Sequence, residues 1–590
     1  MVGFYGLGFK QLGIQDFRQA AQNEGIPATL VEKFLSLVSD SHQCFAVDLE
    51  KALSLLQNCP DDREALQLSS ILRVSKIKFP GTDGMRGLVS GLKLEPLESL
   101  LRYRNDGLLT PMFCYVMVRA FVKQLNKNAA ADRSNICIGE DGRDASSGHP
   151  LLPSLVAAVE DEGLSVEFLG VIPTPAVAAF SLDQGIGGIM ITASHNPAVY
   201  NGIKFFVEGR KLYPDGEMGE YALSLQALQL ASSLGKSFQI REKEIPAVAD
   251  GALELLTDSV IGDLDAHEIA VLRSSSITLD CAHGAVSAWY EDVFQKMGLF
   301  VEVLNAGISE GTINEGCGAA VLDGMQSIKR QGPYPLALAR RMVEKQTLDN
   351  KTQFGIAVDG DADRGLVLVL HPGSPEFILL QGDEILLLLV KRLKDRGREA
   401  SVVSLTIESD PRTEQALKRV YPGIQVLQKG VGDRWLTSGL EAGLLCGAED
   451  SGHVIQPVKV GEKLLYSGNG LASGLVAVAN YCADVLGSAV RTGVCKIVVK
   501  PVDTRFWYEG SGLFEQVRHS IEGVFAQDIE RMVCEEDSDI LAYRFADAGI
   551  LYARASGTEP KLQLVHPNLD DNRFEKVSQA FRMACGPFQK

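Results

Sequence analysis

The sequence predicts an α/β protein of several domains, with mostly parallel and buried strands. From Lys76 onward, short β-branched runs alternate with amphipathic helical stretches, and Gly-rich turns separate them. The length points the same way, because 590 residues are too many for one core. At roughly 150 residues for each domain, about four domains are expected.

The first 75 residues or so are predicted to form a helical N-terminal extension. Apolar residues recur there with the 3.6-residue spacing of a helix, as at Phe34, Leu35 and Val38. The segment contains no cluster that suggests chemistry. A regulatory or oligomeric role would fall here, and the sequence leaves the oligomeric state open.

Five later runs have the composition of buried strands, and a helical stretch at 151–162 follows the first of them. The predicted strands are 136–138, 188–192, 276–280, 354–358 and 365–370. Polar segments at 242–249 and 487–493, and a break at 371–375, suggest linkers. The domains predicted after the extension at 1–75 are therefore 76–248, 249–372, 373–490 and 491–590.

The overall charge excludes some classes of partner. A formal net charge of −18 argues against nucleic acid, because phosphate backbones require a basic face.

The 11 cysteines include no C-x-x-C pair, which argues against a zinc site and a disulfide framework. No basic, apolar leader opens the chain, and no apolar run reaches the roughly 18 residues of a membrane span. We therefore expect a soluble, cytoplasmic protein that does not interact with membranes.

An acidic loop lies between two of the predicted strands. Asp359, Asp361 and Asp363 alternate with small residues and can surround one hard cation in a tight turn. An EF-hand would need Gly and Glu where the chain has Arg364 and Leu370. A solvated acidic turn is the alternative, but three carboxylates beside core strands would repel each other without a cation.

A serine follows the predicted strand at 188–192, in the loop Thr192-Ala193-Ser194-His195-Asn196-Pro197. Ligands gather at the ends of parallel strands, so Ser194 could be a nucleophile. It could equally cap a following helix. The neighbouring His195 suggests a hydrolase, but the G-x-S-x-G elbow is absent from this loop.

Three further loops carry polar groups suited to a phosphorylated ligand. In RASGTEP, Arg554, two hydroxyls and a glycine are typical of a phosphate nest, with an ordinary turn as the alternative. In GAEDSGH, Glu449 and Ser451 can accept from and donate to vicinal hydroxyls, although a plain loop is equally consistent. In GTDGMRG, the glycines of an early turn bearing Arg86 let the backbone approach an anion, and no Walker lysine follows.

Taken together and in this order, the loops resemble the α-D-phosphohexomutase superfamily. The resemblance runs from Phe79 to about His566 and rests on the motifs GTDGMRG, GEDGRDASSG, TASHNP, NGIK, DGDADRG, GAEDSGH and RASGTEP. It implies three related α/β domains and a smaller C-terminal α+β domain around a central cleft.

The family pattern implies a role for each matching residue. Ser194 would carry the phosphoryl group and, with Asp359, Asp361 and Asp363, hold Mg²⁺. Glu449 and Ser451 would bind sugar hydroxyls. Arg554, Ser556, Gly557 and Thr558 would bind the phosphate that is not reacting, and Arg86, Lys204 and His453 would assist proton transfer.

The charges of this set are consistent with the family pattern. Three carboxylates, a phosphoserine of about −1.5 to −2 and Mg²⁺ sum to about −2.5 to −3. Arg364, Lys204 and Arg86 can offset that excess and stabilise the phosphoryl group in transfer.

The implied activity interconverts hexose 1-phosphates and 6-phosphates through a bisphosphorylated sugar, with a sugar 1,6-bisphosphate as activator. The string RASGTEPKLQ resembles the glucose and mannose branches, which we favour. GTDGMRG, TINEGCG and VGDR resemble phosphoglucosamine mutases, although Asp450 stands where those enzymes usually carry Gln. A non-catalytic sugar-phosphate-binding paralogue is a third alternative, but such proteins usually lose the serine, a metal aspartate or the phosphate nest.

Overall fold

The computed structural model describes most residues from 79 to 589. Before residue 79 it describes only residues 18, 22, 28, 29, 31, 39, 40, 45 and 46. The later gaps are 82, 129–134, 242, 309–311, 326, 399–401, 439–442, 488–494, 503–506, 508, 510, 526–527, 533–539, 546–548, 556–560 and 567–570. Most of the predicted N-terminal extension therefore lies outside the described residues. Among the described residues of this extension, 18, 22, 28, 29 and 31 are helical, and Ser39–Asp40 pairs antiparallel with Phe45–Ala46.

The first sheet carries the serine loop. Its strands are β1 (Met85–Val89), β2 (Leu108–Leu109), β3 (Asn135–Glu140), β4 (Ser165–Val171), β5 (Gly187–Ile191), β6 (Tyr200–Val207) and β7 (Arg210–Lys211). They lie in the order β2-β1-β6-β5-β3-β4, and β7 pairs with β6. The helices of this part are α1 (Pro96–Asp106), α2 (Pro111–Asn128), α3 (Arg143–Ser146), α4 (Leu152–Glu160), α5 (Thr174–Gln184) and α6 (Glu220–Leu234).

The second sheet carries the acidic loop. Its strands are β8 (Ser276–Asp280), β9 (Glu302–Leu304), β10 (Ile328–Lys329), β11 (Gln353–Val358), β12 (Gly365–Leu370) and β13 (Glu376–Leu380), in the order β9-β8-β11-β12-β13-β10. The accompanying helices are α7 (Ala252–Asp263), α8 (Ala266–Ser274), α9 (Tyr290–Met297), α10 (Ala319–Leu322) and α11 (Ala337–Asp349). The acidic loop is the turn of the β11–β12 hairpin, whose strands are buried along their whole length.

The third sheet carries the loop GAEDSGH. Its strands are β14 (Val402–Thr406), β15 (Gln425–Lys429), β16 (Leu444–Ala448) and β17 (Val454–Ile455), and a separate pair is formed by β18 (Val458–Val460) and β19 (Lys463–Leu465). The helices are α12 (Gly382–Asp395), α13 (Pro411–Val420), α14 (Asp433–Leu436), α15 (Gly470–Ala479) and α16 (Ala483–Gly487). The Asn469 side chain caps α15 by accepting from the Ala472 amide at 3.0 Å.

The fourth sheet is antiparallel and ends the chain. Its strands are β20 (Cys495–Val499), β21 (Ile529–Met532), β22 (Leu541–Phe545), β23 (Gly549–Ala555) and β24 (Leu562–His566), in the order β20-β24-β23-β22-β21. Its helices are α17 (Gly512–Phe525) and α18 (Asp571–Cys585). These helices close a separate apolar core against one face of the sheet.

Buried contacts join the sheets. The apolar run of α12 at 385–390 lies in one core that spans the second and third sheets. Arg392 of the same helix is paired with Glu268 at 2.6 Å and Asp263 at 2.7 Å. The third and fourth sheets are joined by Ile407, which packs in an apolar cluster with Tyr552 and other residues of the fourth sheet.

The α/β fold class is confirmed, and the predicted strands and helix are present with small shifts of their ends. The expectation of mostly parallel sheets is wrong, because β6, β12 and the whole fourth sheet are antiparallel to their neighbours. The domain boundaries stay predictions, and the second sheet continues to Leu380, beyond residue 372. Among the described helices, none is long and apolar enough to cross a membrane.

Candidate active site

The serine loop follows β5 and holds Ser194 in a fixed, unusual conformation. Ser194 is fully buried and has a φ of 51°, which costs a non-glycine residue of the order of 1 kcal/mol or more. Its amide donates to Thr192 Oγ1 at 2.8 Å. Its carbonyl accepts from an Arg143 guanidinium nitrogen at 2.8 Å and from Asn314 Nδ2 at 2.7 Å. These contacts, made by residues that accompany two different sheets, compensate for the strain and fix the backbone at Ser194.

The acidic loop meets the serine loop directly. Ser194 Oγ donates to Asp359 Oδ2 at 2.7 Å, although the two residues are 165 positions apart. The approach requires a glycine at position 360, because a Cβ there would lie 2.9 Å from Ser194 O and 2.8 Å from Ile313 Cδ1. The strand–loop–strand turn predicted from DGDADRG is therefore present and faces Ser194.

The three aspartates of the acidic loop form a cluster that fits a cation. They are buried, and one ligand oxygen of each lies within 4.8 Å of the others. Within the described part of the chain, Asp361 Oδ1 and Asp363 Oδ1 have no hydrogen-bond partner. Burial, followed by the charges of Asp361 and Asp363, raises the pKa of Asp359 to about 7. Buried carboxylate oxygens without partners are the donor set that Mg²⁺ prefers.

Lys204 extends from β6 into the same cluster. Its ammonium lies 2.7 Å from Asp361 Oδ2, 2.6 Å from Asp363 Oδ2 and 3.1 Å from Asp83 Oδ2. Burial alone would lower the pKa of Lys204, but these carboxylates outweigh it and hold the pKa well above its usual range. Lys204 therefore offsets part of the negative charge beside Ser194.

Two of the three candidate arginines lie beside the serine loop and the acidic loop. Arg86, on β1, is paired with Asp83, and its NH1 donates to Asn196 Oδ1 in the serine loop at 3.5 Å. Arg364 ends the acidic loop, and its amide donates to Asp359 Oδ1 at 3.2 Å. Burial works against the Arg364 charge, but Asp359 and Glu449 hold the pKa above its usual range.

The loop after β16 brings Glu449 and His453 towards the acidic loop. His453 is buried, with Nδ1 3.8 Å from Asp363 Oδ1 and Nε2 3.1 Å from Asp433 Oδ2. Burial alone would lower the pKa of His453, but Asp433 and Asp363 outweigh it and raise the pKa. Glu449 accepts from the Gly432 amide at 2.8 Å, and burial raises its pKa. Ser451 is half-buried in the turn between β16 and β17.

Arg554 lies at the end of β23, on the fourth sheet. Its Nε donates to Glu408 Oε1 at 2.8 Å, and its NH2 lies 2.5 Å from the same oxygen. Glu408 follows β14, so this ion pair joins the fourth sheet to the third. The other predicted members of the phosphate nest, Ser556, Gly557 and Thr558, lie outside the described residues.

Several residues that contact the site residues were not predicted from the sequence to belong to the site. Asp83, Arg143, Asn314 and Asp433 stand inside motifs that the sequence offered, but nothing indicated which atoms they contact. Lys211 stood in no motif at all. The available signal was the charge of Asp83 within GTDGMRG, a loop otherwise suited to an anion, and the charge of Asp433 within VGDR.

Comparison with known proteins gives the same fold. Residues 78–219 match the description phosphoglucomutase/phosphomannomutase, alpha/beta/alpha domain I, and residues 381–485 match its domain III. A phosphoglucomutase/phosphomannomutase family protein of Burkholderia thailandensis has a similar structure, with a TM-score of 0.58 and 18% identity over 87% of this chain and 98% of that one.

Curated relatives match over almost their whole length. The phosphoglucosamine mutase of Polaromonas naphthalenivorans is 30% identical over 522 residues, which cover 86% of this chain and 99% of the relative. That of Delftia acidovorans is 31% identical over 506 residues, covering 85% of this chain and 96% of the relative. Together with the loops around Ser194, these similarities establish that the chain belongs to the α-D-phosphohexomutase superfamily.

Proposed function

We propose that the chain is a phosphoglucosamine mutase, which interconverts glucosamine 1-phosphate and glucosamine 6-phosphate. The observation that carries the phosphoryl transfer is the 2.7 Å contact between Ser194 Oγ and Asp359 Oδ2. The two bacterial relatives support the amino sugar over the glucose and mannose phosphates favoured by RASGTEPKLQ. The alternative suggested by GTDGMRG, TINEGCG and VGDR thus becomes the main proposal.

The reaction consists of two transfers at Ser194. In the first, the P–O bond to Ser194 Oγ breaks while a sugar hydroxyl forms a new P–O bond, which gives a sugar bisphosphate. In the second, Ser194 Oγ takes the other phosphate back. Each attacking hydroxyl loses a proton and each leaving oxygen accepts one, and Lys204, His453 and Arg86 are the candidates for this exchange.

The residues around Ser194 support these steps by position and charge. Asp359, Asp361 and Asp363 would hold Mg²⁺, which supplies positive charge against the phosphoryl oxygens. Lys204 already lies within 2.7 Å of two of these aspartates, so its charge adds to that of Arg86 and Arg364. Preorganised cations of this kind stabilise the charge of the transition state without further rearrangement.

The sugar and its distant phosphate would be held from the third and fourth sheets. Glu449 and Ser451 are proposed to bind the sugar hydroxyls, and Arg554 to bind the phosphate that is not reacting, with Ser556, Gly557 and Thr558. Glu408, which pairs with Arg554 here, is among the charges that raise the pKa of Glu449. The residues proposed to bind the sugar and those proposed to bind the distant phosphate therefore interact electrostatically through Glu408.

The test is a kcat/KM series with Mg²⁺ and a trace of the matching sugar bisphosphate. The substrates are the 1-phosphates of glucosamine, glucose and mannose. We expect glucosamine to lead by more than about tenfold, or roughly 1.4 kcal/mol of transition-state preference. A lead for glucose or mannose would refute the amino-sugar assignment, and no turnover on any of the three would refute the mutase.

A further inference from the structure

Lys211 lies in a buried chain of alternating charges. Its ammonium is 2.5 Å from Asp83 Oδ1 and 2.7 Å from Asp433 Oδ2. The same Asp433 oxygen lies 3.1 Å from His453 Nε2. The side chains of the four residues are between 1% and 12% exposed. Lys211 therefore links the first sheet to the loop of the third sheet that carries His453.

The chain of charges continues from Asp83 to the acidic loop. Asp83 Oδ2 lies 3.1 Å from Lys204 Nζ, and Lys204 contacts Asp361 and Asp363. Positive and negative groups thus alternate from the acidic loop, through Lys204, Asp83, Lys211 and Asp433, to His453. Lys211 also reaches the acidic loop directly, with its ammonium 3.5 Å from Asp363 Oδ2. The acidic loop and His453, at the two ends of this chain of charges, were predicted from the sequence to take part in the reaction. Lys211 and Asp433 were not.

Stability is a poor explanation for such a chain. Moving paired charges out of water costs about as much as their attraction returns, and a well-packed apolar replacement is often neutral or stabilising. What this network does supply is a fixed geometry, because Lys204, Asp83 and Lys211 each lie between neighbours of opposite charge. This points to a role in holding the chemical groups in place.

We propose that Lys211 and Asp433 are positioning residues for phosphoryl transfer. They hold His453 and, by way of Asp83, Lys204 at fixed places relative to Ser194. The proposal rests on the mutase function proposed above. It requires that Lys211 and Asp433 act through the groups they contact and not on the substrate itself.

A neighbouring contact supplies a matched control. Arg434, the residue after Asp433, is paired with Glu220 of α6, and Tyr213 OH lies 3.1 Å from Arg434 O. These contacts join the same two parts of the molecule as Lys211 and Asp433 do. Neither of these two contacts involves His453 or Lys204, so we expect Glu220→Gln to disturb the junction and to leave the chain of charges in place.

The kinetic test compares Asp433→Ala, Asp433→Asn, Lys211→Met and Glu220→Gln. In Asp433→Ala and Lys211→Met we expect kcat to fall by about 10- to 100-fold with KM within about twofold, because positioning acts on the transition state. Asp433→Asn should recover part of the loss, since its oxygen can still accept from Lys211. Glu220→Gln should keep kcat within about twofold of the wild type, whatever it does to the melting temperature.

The structural test does not depend on turnover. Crystal structures of the Asp433→Ala and wild-type proteins should differ in the position of the His453 ring. An unchanged ring, or equal kcat losses in Asp433→Ala and Glu220→Gln, would overturn the positioning role. A wild type inert on every sugar phosphate would instead refute the mutase function, and the ring position would still decide whether Asp433 holds His453.

Discussion

Ser194 and Arg554 belong to two regions that the structure holds in different ways. Ser194 is fully buried, and its backbone is fixed by Thr192, Arg143 and Asn314. The Arg554 side chain is 19% exposed, and Glu408, itself 24% exposed, pairs with it from the neighbouring sheet. The first region suits a reaction in which sub-ångström placement matters. The second suits the proposed phosphate contact, which in the proposed reaction releases one phosphate and binds another.

The largest expected effect is at the serine end. Ser194→Ala removes the proposed carrier of the phosphoryl group, so turnover should fall by on the order of a thousandfold or more. Intact-mass measurement after incubation with sugar bisphosphate should show one added phosphate in the wild type and none in the variant. Full turnover by the variant would exclude Ser194 as the nucleophile.

Metal binding at the same end should depend on pH. With the pKa of Asp359 at about 7, this carboxyl is protonated below that pH, and a cation must displace the proton. The apparent affinity for Mg²⁺ should therefore fall about tenfold for each pH unit below 7 and level off above it. Calorimetry in buffers of different ionisation enthalpy measures the proton released. Equal affinity from pH 5.5 to 8 would contradict the expectation.

Arg554→Ala tests the phosphate end. Loss of a charge-assisted contact to the distant phosphate should raise KM by about 10- to 50-fold and change kcat less. Arg531 lies on the same sheet and pairs with the exposed Glu509, so it provides the control, and Arg531→Ala should leave KM unchanged. A pure kcat loss in Arg554→Ala would place this arginine nearer the transferring group than we propose.

The smallest effect should come from Glu408→Gln. The Glu408 carboxylate competes with a phosphate for Arg554, so its neutralisation should lower KM by about two- to fivefold, the range of a partly exposed ion pair. The comparison would be sharpened if the double variant with Arg554→Ala behaved like Arg554→Ala alone. A raised KM in Glu408→Gln would show that Glu408 supports substrate binding instead of competing with it.

The local features of this protein were largely predictable. The hairpin around Asp359 and the strand before Ser194 were predicted within one residue, because a buried run between polar turns marks its own ends. Strand direction was not predictable in the same way. A strand covered on both faces has the same composition in parallel and antiparallel pairs, so the antiparallel β6 and β12 could not be told from parallel strands.

The sequence by itself determined which residues could do chemistry. The spacing of Asp359, Asp361 and Asp363 predicted a cation site, and the resemblance to the superfamily predicted Ser194 as the phosphoryl carrier, before any contact was known. Only the tertiary structure decided that Lys211 meets Asp433, 222 positions away, and that Glu408 meets Arg554, 146 positions away. Such pairs form because separate sheets pack together, and a charge in a loop does not indicate which distant charge it will meet.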